Sequence, residues 1–97
     1  MGGNPHNGPA VVAKRGDVPR PDTDEIRELA GAAGYHVVGE VTQQRKEDPA
    51  FCLGEGTVEE LAALVRETDA ETVIFDNRLG PSQPYNIGNK LPESVEV

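Results

Sequence analysis

Apolar positions follow two different rhythms along this chain. Ala10-Val11-Val12-Ala13-Lys14 is a short apolar run closed by charge, which predicts a buried first strand. Prolines at 19 and 21 then exclude an early helix. From Asp22 or Thr23 the spacing changes: Ile26, Leu29, Ala30 and Ala33 recur at helical intervals, with Arg27 and Glu28 on the opposite face. Asp22, Asp24 and Glu25 put cap oxygens and negative charge at the positive end of that helix, and Gly34 is suited to end it in the left-handed conformation. Tyr35–Val41 returns to β-branched composition, with Val37, Val38 and Val41 as the apolar positions of a second strand. Thr42–Asp48 is polar and reads as a solvated loop. Ala50-Phe51-Cys52-Leu53 fits either a short strand or a buried loop.

Thr57-x-x-Glu60 matches a capping box, in which threonine and glutamate side chains satisfy each other's backbone N–H groups. Behind it Val58, Leu61, Leu64 and Val65 form the buried stripe of a helix over 58–67, with Glu59, Arg66 and Glu67 facing water. Glu71–Phe75 is a third strand by composition, ending at Asp76-Asn77. Gly80, Pro81 and Pro84 mark turns, Tyr85–Lys90 fits one or two helical turns, and Ser94–Val97 reads as the start of a fourth strand. This alternation predicts a small α/β fold: a mostly parallel sheet of about four strands, two well-formed helices on opposite faces and one short helix. Residues 1–9 read as a flexible leader and 10–97 as the domain.

Composition narrows the class. With 97 residues there is material for one modest core. No apolar run approaches the ~20 residues of a membrane-spanning helix, and the start MGGNPHNGPA has no secretory-signal pattern, so a cytoplasmic protein with no membrane partner is expected. The single cysteine, Cys52, forms no internal disulfide and lacks the neighbours of a zinc site. Seventeen acidic residues against 9 basic ones give a net charge of −8, which argues against non-specific coating of nucleic acid but leaves local RNA contact open.

Candidate chemistry is sparse. Gly54-Glu55-Gly56-Thr57 places glycines at a helix start, where backbone N–H groups can approach an anion. The lysine and hydroxyl of a nucleotide P-loop are missing, as is the third glycine of a dinucleotide turn, so no catalysis and no cofactor is expected of this chain. Arg45-Lys46 is the positive pair nearest that turn in sequence. Asp76 and Asn77 occupy the carboxyl end of a predicted parallel strand, a usual ligand position in α/β folds, and form a secondary candidate crevice. Their plainer role is to hydrogen-bond a turn. No metal site assembles around His6 or His36, and nothing combines a nucleophile, a base and an oxyanion donor.

One combination of pieces resembles a known family. Val38-Gly39-Glu40-Val41-Thr42-Gln43, Asp48-Pro49, Gly54-x-Gly56-x-Val58-Glu59-Glu60-Leu61, Val73-Ile74-Phe75-Asp76-Asn77, Leu79 and Pro81-Ser82-Gln83 look like the N-terminal domain of HflX-type GTPases. The resemblance implies a non-catalytic domain of a ribosome-associated protein that approaches the peptidyl-transferase region of the large subunit and helps to split ribosomes under stress. It implies that the turn at Gly54, Glu55, Gly56 and Thr57, with Arg45 and Lys46 nearby, meets rRNA. GTP and magnesium would belong to a later GTPase domain, whether in the same protein or supplied in trans. Where the family's turn typically reads Gly-Lys-Gly-Lys, this chain has Glu55 and Thr57 at the two basic positions. A competing reading is a protein-interaction module that keeps the fold, has lost RNA binding and meets a basic partner with its acidic face. A third is a small-ligand binder or enzyme working at Asp76 and Asn77.

Overall fold

A computed structural model describes residues 8–92, 95 and 97. Strand β1 (Gly8–Gly16) lies at the centre of a three-stranded parallel sheet, flanked by β2 (Tyr35–Gln44) and β3 (Thr72–Phe75) in the order β2-β1-β3. Its Ala10-Val11-Val12-Ala13 run is fully buried on both sides, as a central parallel strand requires. Three helices complete the fold: α1 (Asp24–Ala32), α2 (Glu55–Thr68) and the short α3 (Gln83–Gly88).

The two faces of the sheet differ in chemistry. Val11, Ala13 and Val73 point to the side where α2 contributes Val58, Leu61, Ala62 and Val65, and Leu53, Ile87 and Leu91 close this main core. Each fully buried Val, Leu or Ile among them stabilises by roughly 1.5–3 kcal/mol. Gly39 belongs to this face because α2 crosses it closely: a Cβ there would lie 3.0 Å from Leu64 Cδ2. The next residue of β2, Glu40, points the other way. There its Oε1 accepts hydrogen bonds from Thr23 Oγ1 at 2.6 Å and Arg27 Nε at 2.9 Å, which fixes α1 on the opposite face as the sequence predicts. These bonds hold the Glu40 carboxyl below its ordinary range, the Thr23 hydrogen bond contributing most and Arg27 next.

Several boundaries differ from expectation. Gly8 and Pro9 belong to β1 rather than to a leader, while residues 1–7 of that leader lie outside the described residues. Strand β2 runs on through Thr42, Gln43 and Gln44, which pair with Lys14, Arg15 and Gly16, where the sequence suggested a loop. Backbone pairing at the end of a sheet needs no apolar side chain, so hydropathy is silent there. Val38 is an extra residue in the ladder, between the pairs Ala10–Val37 and Val11–Gly39, and this bulge turns Val38 toward the main core.

The capping box does not form. Gly54 is the N-cap, α2 starts at Glu55, and no side chain caps it, so Thr57 is its third residue. Gln43 Oε1 accepts from the Gly54 N–H at 2.8 Å and the Val58 N–H bonds the Gly54 carbonyl at 2.9 Å, which draws the helix start back toward the sheet. Pro84 lies in the first turn of α3, where its missing N–H has no helical partner to lose. Helix α1 buries only Ala30 and leaves Leu29 59% exposed, so its apolar stripe is narrower than the spacing suggests. Among the described residues the sheet has three strands, not about four; Ser94 and Glu96 of the expected last strand lie outside them.

Candidate nucleic-acid interface

The carboxyl ends of all three parallel strands and the start of α2 meet at one edge of the sheet, the position where α/β folds usually hold ligands. From β1 come Lys14 and Arg15, from β2 Gln43 and then Arg45, and from β3 Asp76 and Asn77. Gly54 lets this arrangement close tightly. A Cβ on Gly54 would fall 2.5 Å from Arg45 Nη1 and 3.1 Å from Gln43 Nε2, so the guanidinium lies directly across the N-cap of α2. Arg45 is held in turn by its own Nε, which donates to the Lys46 carbonyl at 2.8 Å. Its carbonyl accepts from Arg15 Nη1 at 3.1 Å. Beyond the N-cap, Glu55 and Gly56 are exposed and Gly56 faces open space.

The segment between β2 and α2 is a pinned turn rather than a strand. Asp48 and Cys52 form an isolated antiparallel bridge, and Asp48 Oδ1 accepts from the N–H groups of Ala50 and Phe51. Cys52 is buried with φ of 70°, and burial pushes its thiol up, against the opposing influence of the Arg15 guanidinium. That makes it inert packing rather than a nucleophile. Helix α3 supports this turn from outside. Gln83, 3% exposed, donates from Nε2 to Glu47 Oε2 at 2.8 Å and to the Asp48 carbonyl at 3.0 Å, and its Oε1 accepts from the Gly80 N–H at 2.7 Å. Asn86 Nδ2 donates to the Ala50 carbonyl at 3.0 Å.

Asp76 and Asn77 have structural work here. Asn77 clamps the end of β1, its Oδ1 accepting from the Arg15 N–H at 2.6 Å and its Nδ2 donating to the Arg15 carbonyl at 2.8 Å. Asp76 pairs with Lys14 at 3.0 Å. Asn77 also borders an open cavity of about 330 Å³ beside β3, lined by Tyr35, Thr72, Ile74, Phe75 and Leu79.

The charge pattern of the edge is uneven. Three of the carboxylates near it are held closely, Glu47 by Gln83, Asp48 within its own turn and Asp76 by Lys14, while Glu55 has a loose ion pair with Lys90 at 3.8 Å. Arg45 and Lys46 take part in no ion pair among the described residues. The edge therefore presents an N-cap glycine, backbone N–H groups without a side-chain cap and three cations outside any ion pair among the described residues, Arg15, Arg45 and Lys46, a combination whose chemistry suits a phosphate. It does not fit GTP and magnesium. The first turn of α2 carries Glu55 in place of a phosphate-binding lysine, and no cluster of ligating side chains among the described residues could hold a metal ion.

Comparison with known proteins agrees with the fold. A family model described as GTP-binding GTPase N-terminal matches residues 20–97. The chain belongs to this family. Its relatives include the GTPase HflX of Thermococcus kodakarensis, 48% identical over 67 residues that cover 69% of this chain and 15% of that protein. The HflX of Methanocaldococcus jannaschii is 38% identical over 87 residues, 90% of this chain and 21% of that protein. The HflX of Escherichia coli is 36% identical over 67 residues, 68% of this chain and 16% of that protein. The chain thus spans only about a fifth or less of the length of these relatives. No helix among the described residues of this HflX-type N-terminal domain is long and apolar enough to cross a membrane.

Several residues of the edge escaped the sequence reading. Gln43 fell in a stretch read as loop, and Arg15 stood just past a strand read as closing at Lys14. Gln83 and Asn86 stand among turn-forming residues, where an amide is ordinary. Only the β-period of Val41 and Gln43, continued past the last apolar residue, could have drawn Gln43 into the sheet.

Proposed function

We propose that this domain binds the large ribosomal subunit through rRNA, as the non-catalytic N-terminal part of an HflX-type GTPase that works in the cytoplasm. The observation that carries the reading is the pairing pattern at the sheet edge. Arg45 lies across the Gly54 N-cap without a carboxylate partner, Lys46 follows it, and the nearby acids Glu47 and Asp76 are held by Gln83 and Lys14. Cations placed beside helix N–H groups bind phosphate by local geometry, while the chain's net charge of −8 suppresses non-specific coating. Backbone phosphates would be met by Arg45, Lys46 and the amides of Glu55, Gly56 and Thr57, the Gly54 N–H being held by Gln43, while Asp76 and Asn77 keep the strand ends in register.

The test is cosedimentation of the chain with purified large subunits on a sucrose gradient at physiological salt. The wild type should travel with the subunit, and Arg45→Ala with Lys46→Ala should remain at the top. A wild type that stays at the top contradicts the reading.

A second reading has its own observation. Asp22, Asp24, Glu25 and Glu28 line a groove of about 550 Å³ beside Leu29 on α1, and all four charges are negative. A basic protein segment with an apolar anchor would suit that groove. Under this reading Leu29→Asp, and not the Arg45 and Lys46 changes, abolishes binding to the partner.

A further inference from the structure

Glu55 presents a difficulty for any surface that meets phosphate. It stands in the first turn of α2, where the helix dipole favours a carboxylate, yet it also stands where an incoming anion would be repelled. A cation from elsewhere in the chain lies beside it. Lys90 follows α3, and its Nζ is 3.8 Å from Glu55 Oε2 and 5.8 Å from the centre of the Phe51 ring.

The backbone holds that lysine in place while its head stays free. The Lys90 N–H bonds the Ile87 carbonyl at 2.9 Å, and Ile87 and Leu91 on either side are buried in the main core. The ammonium, by contrast, has only a long ion pair and a peripheral ring contact, too distant for a strong hydrogen bond, and its side chain is 40% exposed. An ammonium carries three donors, so it can keep Glu55 as a neighbour and still take a phosphate oxygen.

We propose that Lys90 is a phosphate-contacting residue of the same surface as Arg45 and Lys46, and the counter-charge that lets Glu55 sit there. The surface then draws its cations from two separate stretches of chain, one after β2 and one after α3. The proposal rests on the ribosome reading.

The experiment measures affinity of the full chain for purified large subunits as a function of salt, for the wild type, Lys90→Ala, Lys90→Arg and Glu55→Gln. Loss of one phosphate contact should make the slope of log K against log salt shallower by about 0.7–0.9 and weaken binding about four- to fivefold at roughly 0.15 M salt. Lys90→Arg should retain slope and affinity, and Glu55→Gln should bind more tightly than the wild type. Urea midpoints of all four proteins separate a binding loss from a folding loss. A wild type that binds with a clear salt slope, beside a folded Lys90→Ala with unchanged slope and affinity, overturns the proposal and leaves the ribosome reading standing. A wild type that does not bind removes both.

Discussion

Gln83 is the residue whose removal most sharply tests how the edge is held together. It is buried beneath the turn at residues 47–51, and truncation to alanine strands groups on both sides of it. The bond from the Gly80 N–H and the bond to the Asp48 carbonyl are neutral, each worth about 1 kcal/mol net, while the bond to the Glu47 carboxylate belongs to the stronger charged class of about 1.5–3 kcal/mol. Glu47 is exposed and rehydrates when released, which brings the expected loss to about 2–4 kcal/mol. For a domain whose whole stability is of order 5–15 kcal/mol, that is a large fraction. The assay is urea unfolding of Gln83→Ala, with Gln44→Ala as its control. Gln44 is an exposed glutamine with a single bond from Nε2 to the Asp17 carbonyl at 3.0 Å, and its loss should stay within about 0.5 kcal/mol. Hydrogen exchange at the Ala50 and Phe51 amides, which Asp48 holds, should accelerate in the Gln83 variant. A loss at Gln83 no greater than that at Gln44 would refute the idea that α3 pins the turn.

Further outcomes follow from the same geometry. Thr57→Ala, which a capping box would make costly, should change stability by no more than about 0.5 kcal/mol, because Thr57 is an internal helix residue here; thermal unfolding measures this. The Thr23 and Arg27 bonds depress the Glu40 carboxyl below 4.5, so their stabilisation is complete above that pH and is lost as the pH falls through the depressed value. With the Arg27 and Glu40 side chains each 40% exposed the effect is below about 1 kcal/mol. Glu40→Gln should therefore lower the urea midpoint at pH 7 and converge with the wild type in acid. Glu55→Lys combined with Thr57→Lys should raise affinity for rRNA and steepen its salt dependence; an unchanged slope in filter binding would remove the first turn of α2 from the interface.

Legibility in the sequence tracked hydrophobic burial. The α/β order, the parallel sheet and the packing of α2 follow from the apolar run at residues 10–13 and the α2 stripe, because those residues fill the core, while α1 is held on the opposite face chiefly by the Thr23 and Arg27 bonds to Glu40. Features built from backbone pairing and amide side chains left no such trace. Strand β2 continues through Gln43 although its apolar pattern ends at Val41, and α2 begins at Glu55 although its best local cap is Thr57. In the second case a tertiary hydrogen bond from the Gly54 N–H to Gln43 outweighs a local capping signal. The candidate site was half legible. Glycines at a helix start and the nearby Arg45-Lys46 pair were visible as residues, but the 2.5 Å approach of Arg45 to a Gly54 Cβ position depends on where two separate segments meet. Lys90 was invisible for the same reason, since it reaches Glu55 across the end of α3.

The most direct test of ribosome binding by this edge is chemical footprinting of large-subunit rRNA in the presence of the chain. The predicted result is a confined patch of protected nucleotides that disappears with Arg45→Glu and Lys46→Glu and survives Leu29→Asp. Unchanged rRNA reactivity at saturating chain, or protection that persists after both charge reversals, would contradict it.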